Sequence, residues 1–331
     1  MKRLLLIISA VVTVYSHILA QGGQDAELTR LNAELSKAYA AGNYETALTF
    51  ATKIVEISRQ SFGKEGRHVA SPLKNLGFVQ MAKGDGKAGQ KTLEEAVSIF
   101  KKYADLNQAE GSAFASALET VAAIKMQGET SAGEENLELA LKWREKSNGP
   151  DSASTATTLA TLANVKFWKR DYPAAAAFYK RALLIMAKTT KDLTEDNISI
   201  VYERAKCSFR KAKSEQNFGD VETEYKSIIN SRSDVKKATF VTGGVLNGKA
   251  TFLAKPTYPD DAKKVRAGGA VAVQVLINEK GRVLSACAVP EANQLFAESV
   301  EIAALKSTYS PTLLAGTPVK VSGLIVYNFV P

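Results

Sequence analysis

The chain has 331 residues, of which 45% are hydrophobic and 23% charged, and a formal net charge of +9. This composition is typical of a globular protein with two or three domains, and it excludes a disordered or fibrous chain. Two histidines and two cysteines argue against a histidine-rich zinc site, a Ser-His-Asp triad or a disulfide scaffold. Because basic and acidic residues are interleaved, we expect no nucleic-acid partner.

Residues 1–20 have the parts of a secretory signal peptide: Lys2 and Arg3, an apolar run, and Ala20 before the expected cleavage point. The apolar run is shorter than the roughly 20 residues that cross a membrane. We therefore predict that residues 1–20 are removed during export. The alternative is a retained anchor, and the chain would contact a membrane only in that case.

Residues 25–229 contain a repeated pattern. Similar blocks begin at Gly42, Gly84, Gly128 and Arg170, and a small residue follows five positions into each, at Ala47, Gly89, Gly133 and Ala175. Apolar residues between the blocks recur at helical spacing, so each unit is predicted to be two antiparallel helices joined at the block. The small residue lets the two helices approach closely. One pair has too little core to fold alone, so the units are expected to stack as a solenoid.

The residues at the aligned positions of these units resemble those of the tetratricopeptide repeat family. The fourth unit carries the clearest match, with Tyr172, Ala175, Tyr179 and Ala182. The long period is similar to that of kinesin-light-chain repeats. Two further predicted helices, over 198–210 and 221–229, suggest a degenerate fifth unit or a cap.

The resemblance implies a concave surface lined by the first helix of each unit, which in this family binds a peptide or a partner helix. Carried over to this sequence, that surface consists of ten residues: Asn32, Ser36, Tyr39, Lys74, Phe78, Met81, Lys125, Asn164, Phe167 and Trp168. The alternative for each aromatic side chain is packing between units.

The second block also matches a nucleotide-binding pattern, G-x-G-x-x-G, at Gly84, Gly86 and Gly89. That pattern requires a strand before the glycines, so that backbone amides converge at a helix N-terminus. Here the preceding residues have helical spacing, which favours a turn between helices. We therefore expect no cofactor, and we predict no catalytic or metal-binding residues.

After residue 230 the composition changes. Residues 230–243 read as a linker, and residues 244–331 read as a separate domain of the α+β class, with an antiparallel sheet and helices on one face. Its predicted elements are a strand over 270–277, a turn that ends at Gly281, a helix over 292–307 and a strand over 319–330.

Motifs in residues 256–331 resemble the TonB C-terminal domain; they include Pro256, Tyr258, Pro259, Gly269, Gly281, Val283, Tyr309, Pro311, Gly316 and Pro318. The resemblance implies a bacterium with two membranes and a periplasmic location. In that family the domain binds outer-membrane transporters by adding their peptide to a sheet edge. By analogy, the edge is placed on Val319, Val321, Ile325, Tyr327 and Phe329; the alternative is that this strand is central or covered.

These inferences predict an exported, non-enzymatic adaptor in the periplasm. Its partners would be proteins or peptides, such as outer-membrane transporters or other envelope proteins. The alternative is an energy transducer of the TonB type, anchored in the inner membrane and driving outer-membrane transport. A helical solenoid in place of a proline-rich spacer argues against that alternative. A third possibility is a structural scaffold whose C-terminal domain acts as a cap or forms a dimer.

Cys207 and Cys287 fall in different predicted modules. Export would permit a disulfide, but the two residues are 80 positions apart in sequence. We therefore expect two buried free thiols.

Overall fold

The computed structural model describes residues 24–127, 133–191, 196–234, 240–246 and 250–331. The predicted signal segment and the start of the third block, Gly128, lie outside these residues. The chain divides into two compact units, one up to Val165 and one from Lys166. Across the described ranges, no helix combines the length and apolar character needed to span a membrane.

The first unit is helical. Its helices are α1 (Gln24–Ala40), α2 (Tyr44–Phe62), a 3-10 turn (Arg67–Val69), α3 (Ala70–Lys83), α4 (Gly86–Phe100), α5 (Gln108–Lys125), α6 (Glu134–Asn148) and α7 (Ala153–Trp168), which contains the division between units. Consecutive helices pack as the pairs α1–α2, α3–α4 and α5–α6. Leucine, isoleucine, valine and alanine side chains fill the space between them.

The turns inside the first two pairs, α1–α2 and α3–α4, are alike. Gly42 and Gly84 have φ values of 73° and 104°, a left-handed conformation that glycine adopts without steric cost. The next residue donates its N–H to a carbonyl of the preceding helix, from Asn43 to Ala38 and from Asp85 to Gln80, at 2.9 Å in both cases. The block at Gly84 therefore follows a helix, which confirms the predicted inter-helix turn.

The small residues inside the second pair allow its helices to touch. A Cβ on Gly89 would lie 2.9 Å from the carbonyl oxygen of Gly77, and a Cβ on Gly77 would lie 2.7 Å from Cγ of Leu93. Helices α3 and α4 thus meet at backbone distance at these glycines, as the repeat pattern predicted.

The second unit combines three more helices with a small sheet domain. Its elements after α7 are α8 (Tyr172–Thr189), α9 (Asp196–Lys211), α10 (Glu215–Asn230), β1 (Phe240–Val245), β2 (Ala250–Phe252), α11 (Asp260–Lys264), β3 (Gly269–Ile277), β4 (Val283–Ala288), α12 (Gln294–Lys306), β5 (Thr308–Tyr309), β6 (Thr312–Leu314) and β7 (Thr317–Phe329). The predicted fold class, repeated helical pairs followed by a small α+β domain, is confirmed.

Helices α9 and α10 take the place of a fifth unit. Lys213 in their turn has a φ of 55°, and it lies 43 residues after Arg170, whose φ is 63°. The same step of 43 residues from Leu159, Ala175 and Ala182 of the fourth unit reaches Tyr202, Phe218 and Tyr225. These rings contact one another, with centroids 5.6 Å apart for Tyr202 and Phe218 and 5.4 Å for Tyr202 and Tyr225. Because rings replace smaller side chains, α9 and α10 approach each other less closely than α3 and α4 do.

The main sheet has the strand order β1-β7-β3-β4, and β6 pairs with the start of β7. Strand β3 pairs antiparallel with β7 and β4, whereas β1 pairs parallel with β7, so the sheet is mixed rather than wholly antiparallel. Strand β1 begins at Phe240, and residues 240–243 of the expected linker thus belong to the sheet. Helix α12 covers one face, with Phe296 and Val300 fully buried against the strands.

Candidate protein-binding surfaces

In the first unit, three of the predicted groove residues lie on α1. Asn32 donates its side-chain N–H to the carbonyl of Leu28 at 2.8 Å, and Ser36 donates its hydroxyl to the carbonyl of Asn32 at 2.8 Å. The ring of Tyr39 packs edge-to-face against Tyr44, with centroids 5.5 Å apart. The described contacts of these three side chains thus all lie within the first helical pair.

A second group lies on one face of α3, which we call the α3 face: Lys74, Phe78 and Met81. Lys74 is only 7% exposed, and its Nζ lies 5.4 Å from the ring centroid of Phe78. Phe78 and Met81 are half-buried and pack against the core of the first unit. The structure therefore brings these three predicted residues together.

Lys74 is a buried cation without an anion. Within the described ranges its ammonium forms no hydrogen bond and no ion pair. Burial lowers the pKa of Lys74 to about 8, and the positive charge of Arg144 contributes in the same direction. The α3 face thus presents a desolvated positive group beside an aromatic ring.

Sequence reasoning missed a polar network centred on Arg144 of α6. Its guanidinium forms a bidentate ion pair with Glu119 of α5, at 3.0 and 2.7 Å, and also donates to Ser112 and Ser116. Thr158 donates its hydroxyl to the same carboxylate. The sequence did contain a signal for this network, because Ser112, Ser116 and Glu119 form a polar stripe at helical spacing on an otherwise apolar helix.

The remaining predicted groove residues lie on α5 and α7. Lys125 is exposed in the last turn of α5, and Asn164 is half-buried in α7. Phe167 is buried, with Trp168 and Tyr172 both edge-to-face to its ring at 5.5 Å and with Lys211 Nζ 5.4 Å from its centroid. This environment of Phe167 matches the packing alternative.

In the C-terminal domain, the prediction that β7 is an edge strand is wrong. Strand β7 lies between β1 and β3, because the segment before the recognised motifs returns to pair with it. The five residues assigned to the edge have buried side chains that belong to the domain interior: Val319, Val321, Ile325, Tyr327 and Phe329. The end strands of the described sheet are β1 and β4.

Helices close the edge at β4. The N–H of Ala288 donates to Glu301 of α12 at 2.7 Å, and the carbonyl of Ala288 accepts from Arg210 of α9 at 3.2 Å. Beside them, Cys207 of α9 and Cys287 of β4 form a disulfide, with Cα atoms 6.0 Å apart. The prediction of two free thiols is therefore wrong: α9 packs directly on β4, so residues from two predicted modules become neighbours.

Two ion pairs flank this junction. Lys211 Nζ lies 2.8 Å from Glu301 Oε1, and the two side chains are 12% and 2% exposed. Asp196, at the start of α9, accepts from Lys320 at 2.6 Å, Asn278 at 2.8 Å and Arg282 at 3.2 Å. Burial opposes ionisation of Asp196, but the hydrogen bonds from Lys320 and Asn278 outweigh it and leave the pKa of Asp196 below its usual value.

The sulfur atoms of this disulfide and the carboxylate of Glu301 are also close enough together to resemble a metal site. Both sulfurs are consumed by the disulfide, and Glu301 is neutralised by Lys211. These residues therefore form a structural junction.

The second edge of the sheet is formed by β1. Strand β1 pairs with β7 alone among the described strands, and Val245 is 60% exposed. It is attached by Leu246, whose N–H donates to the carbonyl of Leu324 at 2.8 Å. The side chain of Leu246 is buried over Gly323, where a Cβ would lie 2.5 Å from Leu246 Cδ1.

Residues 254–331 match the family described as the Gram-negative bacterial TonB protein C-terminal, and residues 114–188 match the tetratricopeptide repeat. The chain therefore joins tetratricopeptide repeats to a TonB C-terminal domain. Both kinds of domain generally bind proteins, and the TonB domain indicates a protein related to the envelope of a Gram-negative bacterium. A comparison with curated proteins gives no match.

Three solved structures illustrate what the chain resembles at low sequence identity. One is a putative kinesin light chain with TPR-like repeats from Podosopora anserina, with 16% identity, 65% of this chain and 98% of that chain covered, and a TM-score of 0.46. BtubC (BKLC) from P. vanneervenii has 14% identity, 67% and 98% coverage and a TM-score of 0.41. MamA protein has 12% identity, 65% and 98% coverage and a TM-score of 0.42.

Proposed function

We propose that this chain is an exported, non-enzymatic adaptor of the periplasm. Its helical repeats bind one protein, and its TonB domain binds a second envelope protein, such as an outer-membrane transporter. The observation that carries the proposal is the Cys207–Cys287 disulfide. Disulfides persist in oxidising compartments such as the periplasm and are rare in the cytoplasm. The signal-like segment 1–20 supports the same location.

The disulfide also supports the adaptor role. Together with the pairs Lys211–Glu301 and Asp196–Lys320, it fastens the fifth helical pair to the TonB domain. A protein bound to the TonB domain is then held by a covalent connection to α9. Such a connection suits a protein that holds two partners together.

For the TonB domain, we place the strand-pairing site on β1 instead of β7. An edge strand offers unpaired N–H and C=O groups to an extended peptide, and these bind with little dependence on sequence. Strand β4 has its edge closed by Glu301 and Arg210, which supports β1 as the accessible edge.

Location is tested by sequencing the N-terminus of the mature protein from cell fractions and by mapping thiols with mass spectrometry. We expect a periplasmic protein that begins at Gln21 and contains the disulfide. A retained segment 1–20 would favour the anchored transducer. A cytoplasmic protein with two reduced cysteines would contradict the proposal.

Strand pairing is tested with a photo-crosslinking residue at Val245 in the intact chain. Val265 provides a matched control, because it is 66% exposed in the same domain but lies outside the sheet. We expect envelope proteins to crosslink through position 245 and not through position 265. Equal crosslinking at both positions would contradict pairing at β1.

A further inference from the structure

The α3 face contains a largely buried ammonium group, that of Lys74, and burying this charge destabilises the fold. Lys74 is 7% exposed, and its ammonium lies against the ring of Phe78 with no ion pair or hydrogen bond to any described residue. Removing an ammonium from water without a compensating anion is unfavourable. A methionine would fill a similar space without this cost, and the contact with the ring of Phe78 offsets only part of it.

The neighbouring helices leave Lys74 without a counter-ion. Helix α3 packs against α2, α4 and α5. Four carboxylates on these helices are paired with other bases: Glu45 with Lys83, Glu95 with Arg59, Glu110 with Arg67 and Glu119 with Arg144. The other two, Glu56 and Glu94, are exposed to solvent and form no ion pair with Lys74. The charged group that acts on Lys74 is Arg144, a second cation. The surroundings of Lys74 therefore favour an anion from outside the chain.

We infer that Lys74 binds a carboxylate of the partner protein, so that the α3 face selects an acidic side chain beside an apolar one. This inference rests on the proposed protein-binding role of the helical repeats. An aspartate or glutamate would complete the ion pair that Lys74 lacks. Phe78 and Met81, both half-buried on the same face, provide an apolar surface for the adjoining residue.

The burial of Lys74 gives this site a characteristic pH dependence. Because its pKa is lowered to about 8, the ammonium is mostly charged at neutral pH and mostly neutral above that value. A carboxylate binds the charged form, so affinity should fall by up to about tenfold for each pH unit above the pKa. An arginine at this position stays charged throughout the range and should remove that fall.

The test is selection from a random peptide library by the full mature chain. Four proteins are compared: wild type, Lys74→Met, Lys74→Arg and the control Lys91→Met, which removes one positive charge from an exposed position on α4. Circular dichroism and thermal melting establish that each variant folds. Selected peptides are then synthesised, and their affinities are measured by calorimetry at neutral pH and at about pH 9.

We expect wild type and Lys91→Met to enrich peptides with an acidic residue beside an apolar one, and Lys74→Met to lose the acidic preference with at least about tenfold weaker binding. Equal acidic enrichment by Lys74→Met would overturn the inference. Selection of peptides without any acidic preference by all four proteins would overturn it too, while leaving the peptide-binding role intact. No selection by any folded protein would refute both.

Discussion

Cys207 of α9 and Cys287 of β4 are 80 positions apart in sequence and are joined by a disulfide. This bond connects the last helical pair to an end strand of the TonB domain. Around it lie the buried pair Lys211–Glu301 and the hydrogen bonds that occupy both backbone groups of Ala288. The junction is therefore held by covalent, ionic and hydrogen bonds.

Replacing both cysteines with serine should lower the free energy of unfolding of the second unit by about 4 kcal/mol, because a crosslink across a long loop restricts the unfolded chain. Urea unfolding under oxidising conditions measures the loss. Adding a reductant to the wild type should produce a similar decrease, and it should not change the double variant. A reductant effect on the variant would show that something other than this bond is responsible.

Lys211→Met should be more harmful than loss of the whole ion pair. The single change leaves the carboxylate of Glu301 buried without a cation and should cost about 3 kcal/mol. Adding Glu301→Gln removes the charge but keeps an acceptor for the N–H of Ala288, so stability should largely recover. A double-mutant cycle in urea measures both steps, and additive losses would contradict this explanation.

Stability should fall at acid pH through Asp196. Its pKa is lower in the folded chain than in the unfolded chain, because Lys320 and Asn278 hydrogen-bond the carboxylate. Its contribution to the free energy of unfolding is thus present above the ordinary value near pH 4, and it is lost as the pH falls through the lowered pKa. Melting temperatures of Asp196→Asn should depend less on pH than those of wild type. The exposed Asp220→Asn provides the control.

Arg170 occupies a left-handed turn position where the first two units have glycine, and its guanidinium lies 2.7 Å from Glu298. Arg170→Ala removes this exposed ion pair but keeps the steric strain, whereas Arg170→Gly removes both. We expect the glycine variant to be about 1 kcal/mol more stable than the alanine variant. Chemical denaturation of the two variants measures the difference, and a more stable alanine variant would be the contrary result.

Lys74→Met should stabilise the first unit by about 1–3 kcal/mol, since it removes a desolvated charge. The pKa of Lys74 is lowered on folding, so the cost is full below about pH 8 and declines as the pH rises towards the unfolded value of 10.5. Wild type should therefore gain stability relative to Lys74→Met over this range. Urea unfolding at several pH values measures it, and parallel curves for the two proteins would refute the assignment.

The helical repeats could be predicted because they are set by local chemistry. The turn positions and the small close-approach positions, such as Gly84 and Gly89, recur in the sequence every 42 to 44 residues. The fifth pair was harder to recognise, because Tyr202, Phe218 and Tyr225 replace small or aliphatic residues. Only the step of 43 residues from Arg170 to Lys213, close to the 42 and 44 residues between the earlier blocks, keeps the register visible.

The features that the sequence did not reveal all depend on contacts between distant segments. Nothing near Phe240 indicates that β1 will pair parallel with β7. Because of that pairing, the end strand of the sheet is β1 and not β7. The disulfide likewise required α9 to pack on β4. The repeat pattern placed Lys74 on one helix face with Phe78 and Met81, but its lack of a counter-ion depends on where Arg144 and Glu119 meet.

The crosslink between Cys207 and Cys287 has a mechanical consequence. If tension were applied between α8 and the end of β7, it would pass through the sulfur bridge and bypass the polypeptide between the cysteines. With 80 positions enclosed, about 280 Å of potential extension is withheld. A pull on the TonB domain would then reach α9 with little slack.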